Sequence, residues 1–81
     1  MAASLELYYF PTCPFCKRVL KRIDELGIED KIVLKNTRAD DEAAATLLAV
    51  GGKQQVPCLF IDGEPLYESL DIIAYLDKEF A

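Results

Sequence analysis

The sequence predicts an α/β fold in the order β-α-β-α-β-β-α, a four-stranded mixed sheet flanked by three helices. Three observations predict it. Short apolar runs with strand patterning alternate with stretches of helical periodicity. The first strand, helix and strand form a β-α-β unit, which requires parallel strands and a right-handed crossover. Asp62-Gly63 then supplies the two-residue signal of an antiparallel hairpin. At 81 residues the chain is expected to be a single domain, residues 1–81, close to the size at which one core is only just sufficient.

Each element follows from local chemistry. Leu5, Leu7 and Tyr9 alternate with Glu6, Tyr8 and Phe10, a period-2 strand rich in aromatic residues, ended by Pro11 and Thr12. Helix is expected from Pro14, with Val19, Leu20, Ile23 and Leu26 on one face and Gly27 as the stop. Its other face carries Lys17, Arg18, Lys21 and Arg22, either a solvated surface or, at Lys17, a source of positive potential beside the preceding cysteines. Ile32-Val33-Leu34 is a continuous apolar run that fits a strand buried on both faces. Thr37 with Asp40 resembles a capping box, opening an alanine-rich helix over Asp40 to Val50 that Gly51-Gly52 closes. Val56 to Ile61 is a third strand entered through Pro57. Glu64 to Tyr67 is a fourth, with Pro65 marking a sheet edge. Ser69 is placed as the cap of a last helix whose core face is Ile72, Ile73, Leu76 and Phe80. No repeat, linker or low-complexity stretch interrupts this order.

The chemistry concentrates in Cys13-Pro14-Phe15-Cys16, where the first strand hands over to the first helix. With Pro14 at the first helical position its missing N–H costs nothing, and Cys13 becomes the N-cap. The Cys13 sulfur then faces unpaired backbone N–H groups and the positive end of the helix dipole, both of which favour thiolate over thiol. Cys16 lies one turn on, close enough to form a disulfide with Cys13. A structural zinc site needs four ligands, and the chain offers only Cys58 besides this pair and no histidine. A purely structural bridge across so short a loop removes little unfolded-state entropy. The pair therefore reads as nucleophilic and resolving thiols, with no metal expected. Cys58, at the start of a buried strand, reads as core, its rival role being a third redox thiol.

Composition narrows the class further. Fourteen acidic against nine basic residues give a net charge of −5, which argues against a nucleic-acid partner. Met1-Ala2-Ala3-Ser4 has neither the basic region nor the apolar core of a signal peptide, and the apolar runs fall far short of the roughly 20 residues that span a bilayer. Three cysteines is an odd number, a poor fit to a secreted disulfide framework. A cytoplasmic protein with reduced thiols, no membrane partner and a monomeric state is expected.

A strand-CxxC-helix opening in a β-α-β unit resembles the thioredoxin-like arrangement, and three motifs sharpen the likeness. Cys-Pro-Phe-Cys resembles the Cys-Pro-Tyr-Cys of glutaredoxins and differs from thioredoxin, which places a Trp before Cys-Gly-Pro-Cys; this chain has no Trp. Gln54-Gln55-Val56-Pro57 is similar to the family's segment ending in Val-Pro, whose proline is cis and packs opposite the cysteines. Tyr67-Glu68-Ser69-Leu70-Asp71-Ile72 is similar to the Glu-Ser segment by which glutathione-transferase-type domains hold the γ-glutamyl end of glutathione. The likeness covers nearly the whole chain and is strongest to the N-terminal domain of the bacterial, transferase-like glutaredoxin that carries a second, helical domain. No such domain is expected after Ala81, so a site shared between domains is expected to be open or filled by a partner.

The resemblance implies a glutathione-dependent dithiol oxidoreductase that reduces protein–glutathione mixed disulfides and protein disulfides, with glutathione as co-substrate. Cys13 and Cys16 would be catalytic. Pro14, Phe15, Val56, Pro57, Glu68 and Ser69 would bind glutathione, the Val56 backbone pairing with its cysteinyl part as a short strand. The alanines 43–45 leave Arg38 and Lys53 to grip the glycine carboxylate. Two other classes remain open on the sequence: a carrier of a glutathione-ligated [2Fe–2S] cluster held through Cys13, and a binding module without turnover.

Overall fold

The computed structural model describes residues 4–81; Met1–Ala3, on which part of the N-terminal reading rests, lie outside the described residues. The elements are β1 (Leu5–Tyr9), α1 (Pro14–Leu26), a 3-10 turn at Glu29–Lys31, β2 (Ile32–Asn36), α2 (Asp41–Gly51), β3 (Cys58–Ile61), β4 (Glu64–Tyr67) and α3 (Ser69–Phe80). The strands lie in the order β2-β1-β3-β4. β1 runs parallel to β2 and antiparallel to β3, and β3 pairs antiparallel with β4. This is the expected thioredoxin-like mixed sheet with three helices.

Alternation along β1 feeds two cores. Leu5 and Leu7 join Val19 and Ile23 of α1, Leu59 of β3 and Ile72 and Leu76 of α3 on one side of the sheet. Tyr8 points the other way, to Ala43 and Leu47 of α2 and to Cys58 and Phe60 of β3. Cys58 is fully buried there, as a core residue. Arg22 ties α1 to α3 through a 2.6 Å bond from its Nε to Asp77, a surface pair that solvent screens. No helix among the described residues is long and apolar enough to cross a membrane.

Local signals set the ends of several elements as expected. Gly27 closes α1 in the left-handed region, at φ 67°. The β3–β4 turn takes positive φ at both central residues, Asp62 at 51° and Gly63 at 87°, as a two-residue hairpin of this kind requires. Pro65 lies on β4, at the sheet edge.

Four expectations are corrected. Val33 and Leu34 are 52% and 44% exposed, not buried on both faces, because β2 is the other edge strand and no helix covers it fully. Thr37 does not cap α2. Its hydroxyl donates to the Tyr9 carbonyl at 3.2 Å, and Asp40 is the N-cap, accepting from the Glu42 N–H at 3.0 Å. The third strand starts at Cys58, leaving Val56 and Pro57 in the loop ahead of it. Ser69 is the first residue of α3 rather than its cap; Glu68 occupies the cap position, at φ 74° and ψ 120°, with no side-chain capping bond.

The junction of α2 with β4 is tight. A Cβ on Gly51 would overlap the Tyr67 hydroxyl and lie 3.3 Å from Cζ of its ring. That ring is held on two sides: its hydroxyl donates to the Lys53 carbonyl at 3.1 Å, and Lys53 Nζ lies 5.0 Å from its centroid. Gly51→Ala is therefore expected to lower stability by about 1–3 kcal/mol, the usual scale of overpacking, although alanine is the better helix former. Urea denaturation checks this, and adding Tyr67→Phe should recover part of the loss. A Gly51→Ala protein as stable as wild type would mean that the ring swings aside freely.

Candidate functional site

The local chemistry of residues 13–16 produces the arrangement expected of them. Cys13 is the N-cap of α1, with Pro14 at the first helical position, and the Cys16 N–H donates to Cys13 Sγ at 3.4 Å. The Cys13 thiol faces the Val56 carbonyl at 4.0 Å, a weak contact across 43 residues of chain. The peptide between Val56 and Pro57 is cis. All three cysteines are free and buried, Cys13 with 7% of its surface exposed and Cys16 with none. Of the motif pair, then, Cys13 is the one with a path to solvent, and Cys16 lies behind it.

Burial separates the two thiols further. Desolvation pushes the Cys16 thiol from its ordinary 9.0 up to about 12, reinforced by the neighbouring Cys13 sulfur, so Cys16 keeps its proton at neutral pH. Cys58 is pushed by burial to about 11. The folded protein thus holds protons on these thiols where the unfolded chain, titrating near 9.0, would release them. Their stabilisation is fully present below about pH 9 and lost as pH rises through 11 and then 12. Melting temperature should accordingly fall on the alkaline side of pH 9, less steeply in Cys16→Ala than in wild type. Parallel curves for the two proteins would contradict a buried, protonated Cys16.

Beside the thiols lies an open cleft of about 530 Å³ between α1 and the start of α3. Phe15 and Arg18 form the α1 side. Gln55, Val56 and Pro57 form the floor, and Glu68, Ser69, Leu70 and Asp71 form the α3 side. Ser69 is nearly buried, while Glu68 is exposed and accepts from Gln55 Nε2 at 3.2 Å. The positive φ of Glu68 is a costly conformation for a residue with a side chain, of the order of 1–3 kcal/mol, and it lies in the wall of this cleft. The backbone N–H groups opening α3 and two carboxylates sit on the same side, a pairing suited to a group that carries both an anion and a cation.

The sequence-predicted residues divide between this cleft and its surroundings. Phe15, Val56, Pro57, Glu68 and Ser69 line it together. Pro14 is exposed at the start of α1. Arg38 borders a second, smaller cavity of about 200 Å³, where its guanidinium stacks 4.2 Å from the Phe10 centroid. Val56 lines both cavities, so Arg38 lies on the far side of the same loop. Lys53 lies against Tyr67, outside the lining of either. Sequence reasoning missed Arg18, Gln55, Leu70 and Asp71 as cleft residues. A signal for Arg18 existed, since it stands three residues after Phe15 on the same helical face.

Residues 7–81 match the family model described as glutathione S-transferase, N-terminal domain. The chain belongs to that family. It is also 33% identical over 75 residues to the "Probable glutaredoxin" of Synechocystis sp., covering 91% of this chain and 83% of that protein. Glutathione S-transferase L1 of Arabidopsis thaliana is 35% identical over 77 residues, 95% of this chain but 32% of the transferase. Among solved structures, rice GST1 in complex with glutathione superposes with a TM-score of 0.75 at 29% identity, covering 99% of this chain and 35% of that one. As a member of this family the chain spans about a third of the length of its transferase relatives and most of the length of the glutaredoxin.

Proposed function

We propose that the protein is a glutathione-dependent dithiol oxidoreductase that reduces protein–glutathione mixed disulfides and protein disulfides. The observation that carries this reading is Cys13 at the N-terminus of α1, its sulfur accepting the Cys16 N–H at 3.4 Å and facing the loop that floors the cleft. Relatives that are glutaredoxins and glutathione transferases by name support a glutathione-related redox role. Cys13 as thiolate attacks the glutathione sulfur of a mixed disulfide. A Cys13–glutathione bond forms, the old S–S bond breaks, and the substrate leaves as its thiolate, which takes a proton from water. The glutathionyl group lies along the Val56 backbone with its γ-glutamyl end toward Glu68 and Ser69. A second glutathione then attacks the bound glutathione sulfur, releasing oxidised glutathione and the Cys13 thiolate. Alternatively Cys16, on losing its proton, displaces glutathione and closes the Cys13–Cys16 disulfide.

For the first attack the Cys13 sulfur stands at the N-terminus of α1, where it accepts the Cys16 N–H and faces the Val56 loop. The test is reduction of a small glutathione mixed disulfide coupled to glutathione reductase. Turnover that needs both glutathione and Cys13 is the expected result. Absence of glutathione-dependent turnover in a folded protein would leave a binding role instead.

A further inference from the structure

The protein carries a net charge of −5, yet four of its nine cations fall within six residues of α1. Arg22 is engaged, with Glu25 and Asp77. Lys17, Arg18 and Lys21 are exposed and make no salt bridge among the described residues. They occupy the turns directly after Cys13, and Arg18 lines the cleft. Next to them the rim is apolar: Phe15 on α1 is 56% exposed and Leu70 on α3 is 66% exposed. The cleft is therefore polarised, with a cation on the α1 side and Glu68 and Asp71 on the α3 side.

From this polarity we infer that the α1 side is a docking surface for the protein half of the substrate, and that it selects an acidic polypeptide segment with an apolar side chain beside its disulfide-bonded cysteine. The inference rests on the proposed thiol–disulfide exchange and names the substrate class for it. A peptide approaching Cys13 over α1 meets the three cations and the exposed Phe15 side chain, with the exposed Leu70 facing them across the cleft from α3. The carboxylates on α3 face the other half of the cleft and disfavour acidic peptide there. A basic segment gains nothing on α1 and, overall, would be drawn to the acidic remainder of the surface, away from Cys13. Unpaired charges beside a reactive group raise encounter rates for the opposite sign, and salt screens the effect.

Two peptides test this, each with one cysteine linked to glutathione and a neighbouring leucine, one flanked by aspartate and glutamate and the other by lysine and arginine. The readout is the ratio of the rates at which Cys13 releases the peptide thiol in a single turnover. That rate needs no second glutathione, and the ratio is not moved by a general loss of activity. The acidic peptide should react about tenfold faster at low ionic strength, with the ratio shrinking toward one at high salt. Lys17→Gln/Arg18→Gln/Lys21→Gln should bring the ratio to about one, and Arg18→Glu/Lys21→Glu should invert it. Equal rates for the two peptides with wild type, or a preference that survives the triple variant, would overturn the docking inference while leaving thiol–disulfide exchange intact. No release of either peptide thiol from folded wild-type protein would overturn both.

Discussion

Cys13→Ser is expected to abolish every thiol-exchange activity, whereas Cys16→Ser should keep reduction of glutathione mixed disulfides and lose dithiol reduction of protein disulfides. The asymmetry comes from position. Cys13 caps α1, receives the Cys16 N–H and is the motif thiol with access to solvent. Cys16 has no exposed surface, and desolvation lifts its thiol to about 12, so it is a poor nucleophile toward anything but the neighbouring sulfur. Serine at 13 keeps the capping oxygen and the fold but not the nucleophile; the expected loss is at least several hundredfold. Serine at 16 removes the internal displacement and leaves the route through a second glutathione. A further consequence is a difference in pH dependence. Closure of the Cys13–Cys16 disulfide should keep accelerating as pH rises toward about 12, because each step in pH frees more Cys16 thiolate. Stopped-flow measurement of the two routes checks this. A dead Cys16→Ser enzyme beside an active Cys13→Ser enzyme would reverse the roles.

Where the sequence was informative, the signal was short-range. Pro14 at the first helical position and Gly27 after the last apolar turn fix α1 within a few residues, and with it the position of Cys13. Asp62-Gly63 fixes the hairpin in the same way. What sequence could not decide depended on partners far along the chain. Ile32-Val33-Leu34 reads the same whether the strand is central or at an edge, and only the order β2-β1-β3-β4 exposes Val33 and Leu34. Thr37 and Asp40 are both competent caps; Thr37 is taken by the Tyr9 carbonyl of the neighbouring strand, which leaves α2 to Asp40. Along the sequence Arg18 is one more cation on a solvated helix face; only the fold brings Leu70 and Asp71 of α3 to the same cleft.

Ser69→Ala separates binding from stability, because the residue is not the helix cap its sequence position suggested. Loss of a capping hydroxyl ordinarily costs about 0.5–2 kcal/mol. Here Glu68 holds the cap position without a side-chain bond, and Ser69 is the first residue of the helix, nearly buried in the cleft wall. Its melting temperature should therefore stay close to that of wild type. Under the proposed function the hydroxyl and the N–H groups opening α3 meet the γ-glutamyl carboxylate, and Glu68 meets its ammonium. Removing a hydrogen bond to a charged group costs about 1.5–3 kcal/mol, so KM for glutathione should rise roughly ten- to a hundredfold. Single-turnover attack on a small disulfide lacking the γ-glutamyl group should be unaffected. Glu68→Gln keeps the shape and an acceptor oxygen for Gln55 but removes the charge that faces the ammonium. It should raise KM for glutathione in the same direction and leave KM for a des-amino analogue of the tripeptide where it was. Unchanged glutathione KM in both folded variants would move the γ-glutamyl end out of this cleft. The thiols would then remain as the redox centre, with glutathione approaching from the Arg38 side of the Val56 loop.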